Sequence, residues 1–440
     1  MAVAVGRQRL RPLPRWPLLA LYVAFPLWWI LGLGALIWPI LALPMLAALV
    51  IRGRVRVPSG FGIWFGFLVW MLGSGIQLDA ASRVIGWSYR AALYFSATIV
   101  FLYVFNTPRE RLPARTLTMA LTGFWAFVVV GGYLGILFPH GSFTTPVEHL
   151  MPGGLLANSF VSDLVHPSFA QTAASNLGVA ARPQAPFTYT NEWGANFALL
   201  IPMVFASMAQ TRTHGGRILL GILIPVGLVP AALSLNRGLF LSLGAGLLYA
   251  GLRYAIRGKV KALIGITILL VVAGGVFAVL PIQQLLSERI ANSATNQTRA
   301  SLYSEVLARV EQSPLLGYGA PRPSEEGAGA PSVGTQGQLW MVLFSHGFPG
   351  AALFVAWYVW AVWRTRKGLS PVWFWSHVTV FIGLVQLPYY GALPSQIHTI
   401  MLATAMALRE EDAFVRRQAR ASAGARASVP STNETEAQPA

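Results

Sequence analysis

The sequence predicts an all-α fold: a polytopic membrane helix bundle of about twelve spanning helices, with two long extracytoplasmic loops. Three observations predict it. Only 11% of the 440 residues are charged and 55% are hydrophobic, whereas soluble domains carry roughly 25% charged residues. The apolar residues come in blocks of about twenty, the length a helix needs to cross a bilayer. Basic clusters recur at alternate connections between those blocks, as the positive-inside rule requires. In hydrocarbon every backbone polar group needs an internal partner, so such blocks must be helical. The alternating pattern of a membrane β-barrel is absent.

Apolar runs start near Pro17, Gly34, Pro58, Gly86, Leu117, Ala195, Ile218, Leu239, Ala262, Gln338, Pro371 and Leu393. The first two form a hairpin turning around Gly32 to Gly34. Basic clusters follow at Arg52, Arg54 and Arg56, at Arg109, Arg111 and Arg115, and at Arg212 and Arg217. Arg253, Arg257, Lys259 and Lys261, then Arg364, Arg366 and Lys367, continue the series. With the arm from Arg7 to Arg15 and the tail from Arg409 to Arg426, this side collects 24 of the 32 Lys and Arg residues. The opposite side holds eight, against nine of the 15 acids, so nearly all of the +17 charge lies on one face. That face is cytoplasmic, and both termini belong to it. The charge reads as a topology signal and a contact for anionic membrane lipids rather than for nucleic acid. The basic opening stretch lacks the polar cleavage region of a signal peptide and reads as a retained arm. There is no cysteine, which excludes disulfides and thiolate chemistry. Residues 1–419 are expected to form one membrane-embedded domain, followed by a disordered cytoplasmic tail over 420–440.

Two outer segments, about 140–194 and 281–337, exceed ordinary connections, and long loops of this kind usually carry function. Arg237 stands between two apolar runs with no other charge for some way on either side. Its permanently charged fork suits phosphate or carboxylate, and a snorkelling interfacial anchor fits its position equally well. Arg90 lies inside its span, where packing against a carbonyl or carboxylate is expected. His346, His377 and His398 read as satisfied core groups, with His398 a minor site candidate because it lies nearest the outer face. The stretch from Arg182 to Gly194 places Tyr189, Asn191, Glu192 and Trp193 together. The aromatics fit an interfacial belt or sugar-stacking platforms, and Asn191 and Glu192 fit hydrogen bonding to hydroxyls. The second loop offers Asn296 to Tyr303 and Glu311 to Gly319. HExxH, DxD-type and GxSxG signals are missing from both loops, which argues against metal or serine-hydrolase chemistry.

At these residues the chain resembles the O-antigen ligase and O-antigen polymerase family of bacterial envelope glycosyltransferases. The likeness rests on Arg182 to Pro202 with Phe187, Asn191 and Gly194, and on Leu233 to Leu241, where Asn236 stands in place of the commoner serine. It rests also on Arg299 through Gly319, with an aromatic residue four places after the arginine and then Pro-Leu-Leu-Gly-Tyr-Gly. The resemblance implies a multi-pass protein of the bacterial cytoplasmic (inner) membrane with no cofactor. It implies transfer or polymerisation of a glycan from a polyprenyl-diphosphate-linked donor to a glycan or lipid acceptor on the outer face. Arg237 and Arg299 would grip the diphosphate, with Arg182 and Arg289 of the outer loops in the same set. Tyr189, Asn191, Trp193 and Tyr303 would meet the glycan.

One departure stands out. The family usually carries a histidine-asparagine pair before the tenth span, and here that place is Gln336-Gly337. A glutamine can orient a hydroxyl but cannot accept its proton, so Glu192 is the first choice for a catalytic base, with Gln336 beside it. The competing readings are a lipid-linked glycan flippase or transporter and a non-catalytic component of an envelope assembly complex.

Overall fold

Each of the twelve apolar runs is helical in the computed structural model, which describes residues 11–157, 159–172, 181–279, 295–325 and 331–427. Helices α1 (Trp16–Val23) and α2 (Phe25–Leu31) make one bent rod. Gly32, in the left-handed region at φ 84°, closes it and turns the chain into α3 (Ile37–Arg52). Then come α4 (Gly62–Gly73) with a 3-10 turn over Ser74–Gln77, α5 (Ala81–Asn106) and α6 (Ala114–Leu137). The first long loop carries three short helices, α7 (Pro146–Leu150), α8 (Gly153–Leu156) and α9 (Ser159–Val165). Four long helices follow: α10 (Thr190–Gln210), α11 (His214–Leu233), α12 (Arg237–Ile256) and α13 (Val260–Val279). The second loop contributes α14 (Thr295–Val310), and the chain ends in α15 (Gln338–Thr365), α16 (Pro371–Gln386) and α17 (Ser395–Ala427).

Among the described residues six helices, α5, α6, α10, α11, α12 and α15, are long and apolar enough to cross a membrane. The protein is thus a multi-pass membrane helix bundle, and these six are fewer than the twelve crossings that the apolar runs predict. Helix α10 is its centre, with 78% of its apolar window buried, packed between α6, α12 and α16. Helices α11 and α12 lie outside it at 39% and 33%. Their outward faces, such as Leu219, Leu248 and Ile256, are apolar and exposed, a surface that suits acyl chains rather than water. Helix α17 continues through Ala427, so residues 420–427 of the expected tail are helical.

Two devices position the loops. At Gly347 helix α15 breaks (φ 67°, ψ −174°), and Pro349 follows. The freed backbone groups need partners in a dry interior, and the Pro314–Gly319 turn supplies them. Tyr318 N donates to Phe344 O at 3.0 Å, Gly319 N to Ser345 O at 2.8 Å, and Phe348 N to Pro314 O at 2.8 Å. Trp70 Nε1 donates to Leu315 O and His346 O, each at 3.0 Å. The Pro-Leu-Leu-Gly-Tyr-Gly motif is therefore a structural clasp. In the first loop a two-stranded antiparallel ladder pairs Ala170 with Pro183 and Gln171 with Arg182, bringing Arg182 to the head of α10.

Candidate functional site

The two devices deliver three arginine-bearing segments to one short connection, residues 387–394 between α16 and α17. Arg182 Nε donates to Ser234 O at 2.9 Å, three residues before Arg237. Asn236 caps α12, sends its amide to Thr190 O at 3.1 Å, and accepts through Oδ1 from the Tyr390 hydroxyl. Arg237 is thus the first residue of a helix whose start is tied both to α10 and to Tyr390. Its own side chain is exposed. Arg299 arrives on α14, which is docked by Tyr303 stacked on Trp340 at 4.3 Å and 13°. Tyr303 and Trp340 both donate to Pro388 O, at 3.4 and 2.9 Å. Arg299 Nε is buried with no hydrogen-bond partner among the described residues. Burial pushes the Tyr390 phenol up and Tyr389 adds to this, while the Arg182 and Arg299 guanidiniums pull it back.

Glu192 faces elsewhere. It occupies the first turn of α10, where a carboxylate is favoured by the helix dipole, and its Oε2 accepts from Thr188 N at 3.2 Å. Burial pushes its carboxyl up to about 7, and the Thr188 and Tyr189 backbone N–H groups pull it back. Glu192 borders a small solvent-open cleft shared by α2, α3, the α9 region and the segment 184–188. Asp163 and His166 stand on the same walls. Asp163 accepts from the Tyr189 hydroxyl at 3.1 Å, and His166 Nδ1 lies 2.9 Å from Glu148 Oε2.

The sequence-predicted residues therefore divide. Arg182, Arg237, Arg299 and Tyr303 gather around the 387–394 connection. Gln336 borders it too, through Gly337, whose neighbour Gln338 donates from N to Tyr390 O at 2.7 Å. Gln336 is half-buried and does not line the Glu192 cleft, so the two catalytic candidates belong to different faces. Tyr189 is exposed at the cleft rim, and Asn191 is half-buried beside it. Trp193 is corrected. It is fully buried, donates to Val128 O at 2.8 Å and stacks on Phe197, so no glycan reaches it. Arg289 lies outside the described residues.

His398 is no site candidate, since Ser96 and Pro394 O occupy both ring nitrogens at 2.7 and 2.6 Å. His346 and His377 are likewise held, by Ser74 and by Tyr249 with Thr365. Arg90 lacks the expected carbonyl or carboxylate. Among the described residues it makes no hydrogen bond or ion pair, and it stands beside Tyr89 and Tyr94. Sequence reasoning missed Tyr390 and the pair Asp163 and His166. The Pro-Tyr-Tyr-Gly turn between two apolar runs was the available signal for Tyr390.

A family model described as O-antigen ligase matches residues 220–355, from within α11 to the middle of α15. Arg237, Arg299, Gln336 and the Pro314–Gly319 clasp fall inside the match, whereas Arg182 and the Glu192 cleft lie before it. No curated protein matches the chain. The helix bundle and this match support the reading of a membrane glycan-transferring enzyme of the O-antigen ligase kind.

Proposed function

We propose that this ligase transfers or polymerises a glycan from a polyprenyl-diphosphate-linked donor at the outer face of the bacterial cytoplasmic membrane, with both termini cytoplasmic and about twelve crossings. The observation that carries the reading is the docking of the segments that bear Arg182, Arg237 and Arg299 around the 387–394 connection, where Tyr390 bonds Asn236 and Tyr303 bonds Pro388 O. The acceptor hydroxyl oxygen attacks the anomeric carbon, and the bond from that carbon to the diphosphate oxygen breaks. The electron pair leaves with the diphosphate, whose growing negative charge the guanidiniums stabilise. The hydroxyl proton passes to Glu192, the base candidate of the neighbouring cleft. Preorganised charge of this kind acts most strongly where water is excluded.

Deletion of the gene followed by side-resolved detection of the lipid-linked donor tests the reading. Donor accumulating on the outer leaflet is expected. Donor trapped on the inner leaflet would instead establish a flippase, and an unchanged donor pool with normal envelope glycan would leave only a structural role.

A further inference from the structure

We propose that Arg90 is the core of an anion site that holds a phosphate or carboxylate group of the glycosyl acceptor, apart from the arginines assigned to the donor. Calling the ligand an acceptor rests on the transferase reading, whereas the anion site itself does not. Arg90 faces the bundle and not the lipid. Four, seven and eleven places on in α5, Tyr94, Ala97 and Phe101 are fully buried, so at about 3.6 residues per turn Arg90 heads the inward stripe. The exposed stripe of the same helix runs through Val84, Ser88 and Phe95, on the far side. The guanidinium lies back over Gly86, where a Cβ would meet its Nη1 at 3.2 Å, as helical side chains lean toward the N-terminus. It therefore points away from the basic end of the helix, where Asn106 O accepts from Arg52 at 2.6 Å. A bilayer core takes about twenty helical residues, and that count back from Asn106 ends near Gly86. Arg90 thus stands about one turn inside the outer edge of the hydrocarbon.

Its charge is uncompensated. Among the described residues Arg90 makes no hydrogen bond or ion pair, and its side chain is only part-buried, so the donors stay within a ligand's reach. The polar groups nearby are engaged elsewhere. The Tyr94 hydroxyl accepts from Gln338 Nε2 at 2.7 Å, and Gln338 Oε1 accepts from Ala392 N at 2.8 Å. His346 Nδ1 bonds Ser74 Oγ at 2.7 Å, and Tyr89 donates to Ala35 O at 2.9 Å. None of them carries a negative charge. An unpaired charge at membrane depth is expensive and marks a functional site by default. A planar fork with its donors unused suits a phosphate or a carboxylate.

Position assigns the ligand to the acceptor. Tyr94 bonds Gln338, Gln338 N donates to Tyr390 O at 2.7 Å, and Tyr390 bonds Asn236 beside Arg237. That bonded row stands between Arg90 and Arg237, so one phosphate cannot serve both within the roughly 3 Å reach of a hydrogen bond. On its other flank Arg90 is followed back to Tyr89, whose partner Ala35 borders the Glu192 cleft. An oxyanion on Arg90 is therefore on the side of the base that takes the acceptor proton.

Saturation-transfer NMR on the full chain in detergent, with glucose, glucose 6-phosphate and glucuronic acid as probes, tests the anion site. The two acids are expected to receive about tenfold more saturation than glucose, the direction that charge complementarity dictates. Arg90→Gln is expected to bring them down to the level of glucose, Arg90→Lys to restore part of the difference, and Arg237→Ala to leave it intact. Arg90→Gln is also expected to keep the wild-type Tm or exceed it, because removing an unpaired charge strands no partner. A lower Tm would make Arg90 structural and overturn the proposal. Equal signals for the three probes, acids unaffected by Arg90→Gln, or acids lost in Arg237→Ala would overturn it too. Transfer kinetics then assign the ligand: Arg90→Gln is expected to raise the acceptor KM about tenfold with the donor KM unchanged, and the reverse would overturn the acceptor assignment. If Arg90→Gln loses the acids while the wild-type protein transfers no glycan, the transferase reading fails and the anion site stands.

Discussion

Arg299 gives a sharp test of the diphosphate clamp because its Nε–H is buried with no described partner, while Tyr303 and Trp340 dock its helix by other bonds. Arg299→Ala is expected to lower the transfer rate by about 10²–10³, the usual cost of losing one preorganised donor, with the helix still in place. Arg299→Lys is expected to recover only part of that rate, since an ammonium offers a point charge and no bidentate fork. Single-turnover kinetics with lipid-linked donor measure both. Glu192→Gln separates base from cap. The amide oxygen of glutamine can still accept from Thr188 N, so the start of α10 persists, but no proton can be taken up. A rate loss of about 10²–10⁴ at unchanged donor KM is the expected mark of a general base; unchanged kinetics would reduce Glu192 to a capping residue.

The elements that hold these side chains are set by backbone contact more than by side-chain chemistry. Gly347 sits at φ 67°, and a Cβ there would fall 2.5 Å from Pro314 O and 2.6 Å from Leu315 C. Gly347→Ala is therefore expected to destabilise the protein by about 1–3 kcal/mol from the left-handed backbone alone, with the steric overlap adding to it. A lowered Tm in detergent, with α14 more readily proteolysed, would register the loosened clasp. The helices themselves were legible in the sequence, because each of the twelve apolar runs falls on a long or paired helical rod that starts within five residues of it. Arg237 was legible for a simple reason: a charge stranded between apolar runs is conspicuous. Tyr390 was not, since what makes it informative is its contact with Asn236, 154 residues away in sequence. Trp193 was misread because an indole at the start of a span looks alike whether it faces the headgroups or, as here, the Val128 carbonyl in the core. The Glu192 cleft escaped the sequence for the same reason as Tyr390, because its walls come from segments near Trp29, Asp163, Thr188 and Ser395.

At the scale of the whole molecule, the absence of cysteine makes the proposed topology directly testable. His214→Cys and Lys261→Cys are expected to resist a membrane-impermeant maleimide in intact cells, and Gly153→Cys to react; the reverse pattern would invert the orientation. The basic end of the bundle carries a second test, because one stretch of α17 ties it together. Glu410 accepts from Arg109 at 2.9 Å, Glu411 pairs with Arg364, and Asp412 with Arg56 at 3.3 Å. Those arginines come from three separate places, the α5–α6 connection, the end of α15 and the α3–α4 connection. Three consecutive acids thus fix the relative positions of helices far apart in sequence. Their side chains differ in exposure, at 6%, 9% and 39%, and this ranks them. Removing a buried partner strands its neighbour's charge, so Glu410→Ala is expected to cost about 3 kcal/mol, the low end for buried pairs because Arg109 reaches solvent. Asp412→Ala, at an exposed pair, is expected to cost about 0–1 kcal/mol. Thermal unfolding in detergent compares the two, and an equal loss in both would show that packing of α17, not its charges, holds this end of the bundle.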